Sequence, residues 1–254
     1  MADSDAVHAE IPAPLRARMR ALVDVAAPCW AGEAEIVRAY FAAHRTRERD
    51  LVFLRAQAWK ETRLVRVLPL AERDAAFAGA AAADHPEGAP PEKFAEEIKH
   101  FRLLAALIEE LAGAPPVLAE LTELHEETRL QALRAPWRAG SPLERAVVNF
   151  TEGGGGAIYR EIGRLDGGPF ERRMAAAFRE IHADEVLHGP AEIHTVARHA
   201  GAAADWEHAT DMVRSIGRQR LRMRNEMFSR PLAERRLDEI AAGRIEPWPM
   251  PVTI

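Results

Sequence analysis

Cysteine is almost missing from this chain: Cys29 is the only one in 254 residues. An intrachain disulfide is therefore impossible. No thiolate-based zinc or iron–sulfur site can be built from a single sulfur either. Any metal bound here must use carboxylates and imidazoles. Lysine is scarce too, with Lys60, Lys93 and Lys99 alone among many arginines; this reflects an Ala/Arg-rich composition and is assigned no function. Neither sign of charge dominates. With 34 basic and 39 acidic side chains the net charge is −5. No basic excess argues for a nucleic-acid partner, and no like-charge block marks an interaction tail. No apolar run approaches the ~18 residues of a membrane span. The segment from Met1 to Glu10 is acidic and lacks the apolar stretch of a signal peptide. A cytoplasmic protein with no membrane partner is the expectation. Alternating β-branched runs bounded by turn residues are also scarce, so strands are not expected.

What the chain does have is helical spacing of its apolar residues, which make up 48% of it. Its length suits a single helical domain over 1–254. The pattern predicts a helix from Pro14 to Val25. A second runs from about Gly32 to Val67 or beyond, broken near Arg45 to Arg49. Ala80 to Pro91 holds adjacent prolines and a glycine and reads as a loop. A helix from Pro91 to Leu111 and another from Val117 to Leu133 follow, then a loop from Ala135 to Gly140. Ser141-Pro142-Leu143-Glu144 is a helix start with a capping box. That helix is expected to reach Arg164. The next, from Phe170, should kink or end at Gly189-Pro190. A last helix covers Asp205 to Phe228, and residues 229–254 form a partly extended tail.

Within this pattern Glu-x-x-His occurs twice, as Glu97-Ile98-Lys99-His100 and Glu185-Val186-Leu187-His188. With 28 Glu and 10 His, about one copy is expected by chance, so the motif alone is weak. Order, face and spacing add weight. Each copy follows a lone Glu, Glu61 and Glu152, by one helix, one turn and a return. Each of these acids falls on an apolar stripe: Leu51, Leu54, Ala58, Glu61; Phe94, Glu97, Phe101, Leu104; Val148, Glu152, Gly155, Tyr159; Met174, Phe178, Ile181, Glu185, His188. A core-facing acid needs a partner. Residues three apart share a helix face. Four carboxylates and two imidazoles converging in a four-helix bundle make a site for two cations, whose charge the four Glu neutralise. Glu48 competes with Glu61 for the first position, but from farther away. Without metal, such a cluster would be an ordinary set of polar residues in a helical domain.

On these residues the sequence resembles the ferritin-like di-iron carboxylate superfamily, over roughly Leu51 to His194. The resemblance implies an all-α fold. It would be an antiparallel four-helix bundle with a di-metal core in 51–194 and a long crossover through Leu111 to Ser141. Extra N- and C-terminal helices would flank it. It implies that Glu61, Glu97, His100, Glu152, Glu185 and His188 hold the metals, and that Asp184 hydrogen-bonds His100. Glu96, placed equivalently, would support His188. The cofactor implied is two iron ions cycling between ferrous and ferric; a manganese–iron pair suits the same ligands. The function implied is a dioxygen-dependent di-iron oxidase or oxygenase acting on a small organic substrate. Electrons would come from an external reductase or ferredoxin, because no flavin or nucleotide fingerprint is present. A ferritin- or rubrerythrin-like ferroxidase or peroxide-handling protein is the alternative, and a homodimer is left open.

Other residues have two readings each. Gly153-Gly154-Gly155-Gly156 either breaks the helix after Glu152, or leaves space beside the metals, with a π-bulge. Tyr159 is either a core tyrosine or a neighbour of the metals. His182 is an extra ligand or a packing residue; some di-iron N-oxygenases carry an additional histidine on this helix, but four residues before the Glu rather than three. His125, His194, His199 and His208 read as surface or packing residues, Trp30 and Trp59 as core, and Cys29 as a small buried hydrophobe.

Overall fold

The computed structural model describes residues 11–62, 91–118, 121 and 123–254. Among these the secondary structure is helical, with no strand. Helix α1 spans Ala13–Ala39 as one rod, where the sequence pattern predicted two. Pro28 lies inside it, yet one lost backbone donor does not break a helix whose residues Met19, Leu22, Ala26, Trp30, Ala34 and Val37 are all buried. A π-helical turn at Tyr40–His44 ends the rod. The chain then reverses at Arg45 and Thr46, inside the expected break. Thr46 Oγ1 accepts from the Arg49 amide and starts α2, Arg47–Glu61. Asp50 locks this corner: it accepts from the Tyr40 hydroxyl at 2.7 Å and from Arg45 Nε at 2.9 Å. The expected continuation of α2 to Val67 and the loop at Ala80 to Pro91 lie outside the described residues.

Helix α3 is Pro91–Ala112, starting on the proline as expected. Gly113, at φ +82°, ends it in the left-handed region that glycine favours. The helix expected from Val117 begins only at His125. It forms α4, His125–Arg138, and runs through Pro136 into the segment read as a loop. Pro136 removes one backbone donor to the Ala132 carbonyl, and Leu130 and Arg134 anchor the helix in the core. The capping box at α5, Pro142–Phe150, is formed: the Glu144 amide donates to Ser141 Oγ at 3.2 Å and the Ser141 amide to Glu144 Oε2 at 2.7 Å. A 3-10 turn, Thr151–Gly153, joins α5 to α6, Gly154–Ile162. Then come α7, Pro169–Glu185, α8, Glu192–His199, α9, Ala203–Met227, and α10, Glu234–Ala241. The sequence reading missed α10, which occupies part of the expected tail.

Helix α2 packs on α3, α3 on α7, and α7 on α6, while α1 and α9 pack on each other and α1 also covers α6. Phe53 of α2, Phe178 of α7 and Tyr159 of α6 meet ring to ring, at 6.3 and 5.9 Å between centroids. The polar positions of these elements converge above that aromatic floor. The final segment returns to α1, where the Trp248 amide donates to the Ala27 carbonyl at 3.2 Å. Among the described residues no helix is long and apolar enough to cross a membrane.

Candidate metal centre

One cavity of about 400 Å³ is lined by Glu61, Glu97, Glu152 and Glu185 together. The four acids come from four separate elements. Glu61 is the last residue of α2 and is 6% exposed; Glu97 is on α3; Glu152 is in the 3-10 turn; Glu185 is the last residue of α7. Tyr159, Gly155 and Gly156 line the same space. Glu48, the competing acid, sits in the exposed first turn of α2. Among the described residues, no three His, Cys, Asp or Glu side chains are already drawn together as a metal cage.

His100 lies on α3 one turn after Glu97 and is fully buried. Its Nε2 is 3.0 Å from Asp184 Oδ2, the contact that the resemblance implied. Among the described residues its Nδ1 has no hydrogen-bond partner, and it lies 3.5 Å from Glu61 Oε2. A buried imidazole with one nitrogen on a carboxylate and the other unbonded is arranged as a metal ligand is. The donor set therefore fits a hard divalent cation. Burial works to lower the pKa of His100, but the Glu61 and Asp184 carboxylates outweigh it and hold it raised. Burial works to raise that of Glu61, and the neighbouring His100, Glu97 and Gln57 outweigh it and hold it lowered. Tyr159 is driven well above the ordinary phenol range by burial, and then by the charge on Glu61.

The second Glu-x-x-His step departs from the expectation. Helix α7 stops at Glu185, so His188 is in the following turn and not on the helical stripe. Pro190 follows and has no amide to continue the ladder. A Cβ on Gly189 would lie 2.7 Å from the Glu152 carbonyl carbon, because this turn is pressed against the backbone of the 3-10 turn. His188 is 38% exposed, with Nδ1 3.1 Å from Glu185 Oε2. Its described carboxylate is thus Glu185 and not Glu96, which is half-buried on α3. His182 faces elsewhere: it lines a second cavity of about 320 Å³ with Trp30, Val186 and Trp248. Burial, then Arg160, lowers its pKa.

The glycine run neither breaks the rod nor forms a π-bulge; it follows a tightened turn. Gly153 and Gly154 leave room for Trp30 and Glu33 of α1, not for a substrate. Only Gly155 and Gly156 face the acidic cavity.

Sequence reasoning missed the basic half of the site. Arg220 and Arg224 of α9 are buried and line the cavity beside Gln57. Arg220 grips Glu33 through Nε at 2.7 Å and Nη2 at 3.0 Å. Arg224 Nε adds a third bond to Glu33 at 3.1 Å, and its Nη1 donates to Gln57 Oε1 at 3.2 Å. Gln57 Nε2 then donates to Glu61 Oε1 at 2.6 Å and to the Tyr159 hydroxyl at 3.1 Å. Glu152 is held by Arg134 at 3.3 Å and lies 3.7 Å from Arg138. The signal was legible: Arg220 and Arg224 fall on the apolar stripe of α9 with Val213, Ile216 and Leu221.

Compared with known proteins, the chain matches no family model, and no curated protein or solved structure matches it significantly.

Proposed function

We propose that this chain is a non-haem di-iron oxidase or oxygenase on a ferritin-like bundle formed by α2, α3, the α5–α6 rod and α7, with α4 in the crossover. One observation carries the reading: four carboxylates from four elements line a single cavity beside a buried His100 whose Nδ1 is unbonded and whose Nε2 is on Asp184. Glu61, Glu97, His100, Glu152 and Glu185 would hold two iron ions, with His188 joining from the turn after α7. The metals, when bound, supply reduction of dioxygen and oxidation of a small organic substrate. The chain does the rest. Asp184 fixes the His100 tautomer so that Nδ1 is the ligand. Gln57 orients Glu61 and the Tyr159 hydroxyl. Phe53, Phe178 and Tyr159 exclude water from below. A cavity of about 400 Å³ favours an organic substrate over iron storage, which needs no such space.

Anaerobic titration with ferrous iron, followed by dioxygen and watched by absorbance, tests this. Two irons per chain and an oxygen-dependent spectral change are expected. Absence of iron uptake, together with a Glu97→Ala/Glu185→Ala double variant more stable than the parent, would overturn the proposal. Assembly into a large cage on size-exclusion chromatography would favour the ferroxidase alternative.

A further inference from the structure

The acidic cavity has a built cation in its wall. Arg220 is 3% exposed and lines the cavity. Its Nε and Nη2 are engaged by Glu33, which fixes the guanidinium plane. The remaining nitrogen, Nη1, makes no hydrogen bond among the described residues, and the side chain lines the cavity. The other cations of the lining have stated work: Lys60 is 3.3 Å from Glu127, Arg224 holds Glu33 and Gln57, and Arg138 contacts Glu152. Asn149 and the Tyr159 hydroxyl add neutral polar groups to the wall.

This arrangement is poor for a neutral or cationic guest. Divalent ions held by the four carboxylates would cancel the negative charge that now faces Arg220. What then remains to be satisfied is a rigid, desolvated guanidinium donor, and such a group pairs best with a planar oxyanion. We infer that the substrate of this site is a small organic carboxylate, its carboxylate seated at Arg220 Nη1 and its remaining atoms reaching toward Glu61, Glu97 and Glu185. The inference rests on the di-iron reading, because bound metals are what would make the acidic cavity receptive to an anion.

The test uses benzoate, followed by calorimetry on the full chain, both metal-free and loaded with manganese(II). Manganese stoichiometry is measured in the same samples. Saturable benzoate binding is expected in the parent. It should be about tenfold weaker in Arg220→Lys, which keeps the charge opposite Glu33 but loses the fork, and undetectable in Arg220→Gln, where Arg224 still pairs Glu33. Circular dichroism melting checks the fold of each protein. Equal affinity in parent and Arg220→Lys, no binding in either form of the parent, or tighter binding of inorganic phosphate or benzylamine than of benzoate would each overturn the inference. Benzoate bound through Arg220 without two manganese ions sinks the di-iron reading alone; two manganese ions without benzoate binding sinks the carboxylate alone.

Discussion

His100 on α3 and Asp184 on α7 are 84 residues apart in sequence and 3.0 Å apart in space. The bond crosses the interface of the two helices that carry the Glu-x-x-His motifs. A carboxylate on the far nitrogen of a ligand imidazole sets its tautomer and raises its basicity, and its loss typically weakens metal binding 10- to 100-fold. Asp184→Asn should therefore reduce iron or manganese affinity by about that factor with helix content unchanged. Asp184 also pairs with Lys99, whose side chain is 41% exposed. Exposed pairs are worth about 0–1 kcal/mol, so Lys99→Met is the control and should leave affinity near that of the parent. Equal losses in the two variants would mean that Asp184 acts through Lys99 and not through His100.

Gly189 is where the turn after α7 meets the turn that carries Glu152. The atoms a Cβ would strike belong to the backbone at Glu152 and Gly153, and backbone cannot swing aside as a side chain can. Gly189→Ala should cost roughly 2–3 kcal/mol, at the upper end for overpacking, and lower the melting temperature by several degrees. At Gly201 a Cβ would meet nothing nearer than Asp205 Oδ2 at 3.8 Å. Gly201→Ala should stay within about 0.5 kcal/mol. Calorimetric melting of the two variants decides; equal stability would contradict the close backbone approach.

The motifs that could be read from sequence are those whose partners are local. The Ser141–Glu144 capping box needs four consecutive residues, and it forms as read. The helix start at Pro91 was legible for the same reason; Glu61, Glu97, Glu152 and Glu185 line one cavity, but Glu152 does so from a 3-10 turn with its side chain 40% exposed, which helical period does not place. What failed depended on tertiary contact. Pro28 and Gly32 look like a helix break, but α1 runs through both because its buried face is packed against α9. The helical placement of His188 failed because α7 stops at Glu185, where the following turn, with Gly189, packs against the backbone at Glu152 and Gly153. Glu33 pairs with residues 187 and 191 positions away, a separation no local pattern encodes.

Glu33 gives the pH dependence a direction. Burial raises its pKa, but the Arg220 and Arg224 guanidiniums outweigh that and hold it lowered from 4.5. The folded protein thus favours the carboxylate, and this contribution is fully present above the unfolded-state value. It is lost as pH falls below about 4.5 toward the folded-state pKa. Urea unfolding at a series of pH values should show stability falling in this acid window for the parent and falling less steeply for Glu33→Gln. At neutral pH the variant should be about 3–5 kcal/mol less stable, because two buried guanidiniums lose their counter-ion. Parallel acid slopes for the two proteins would show that Glu33 is not the group responsible.

Cys29 should be chemically silent in the native protein although it is a free thiol. Its side chain is buried between α1 and α9, where a Cβ on Gly217 would come within 2.7 Å of Sγ. Burial, and secondarily the negative charge of Glu33, pushes the thiol pKa up to about 12. Only the thiolate attacks alkylating and disulfide reagents, so at pH 8 both the reactive species and the access to it are withheld. Incubation with a chromogenic disulfide at pH 8 should release almost no signal from the native protein. It should release one equivalent per chain in guanidinium chloride, with native-state labelling no faster than unfolding. Fast stoichiometric labelling without denaturant would place Cys29 on an open surface and would contradict the packing of α1 on α9 that positions Glu33 behind the site.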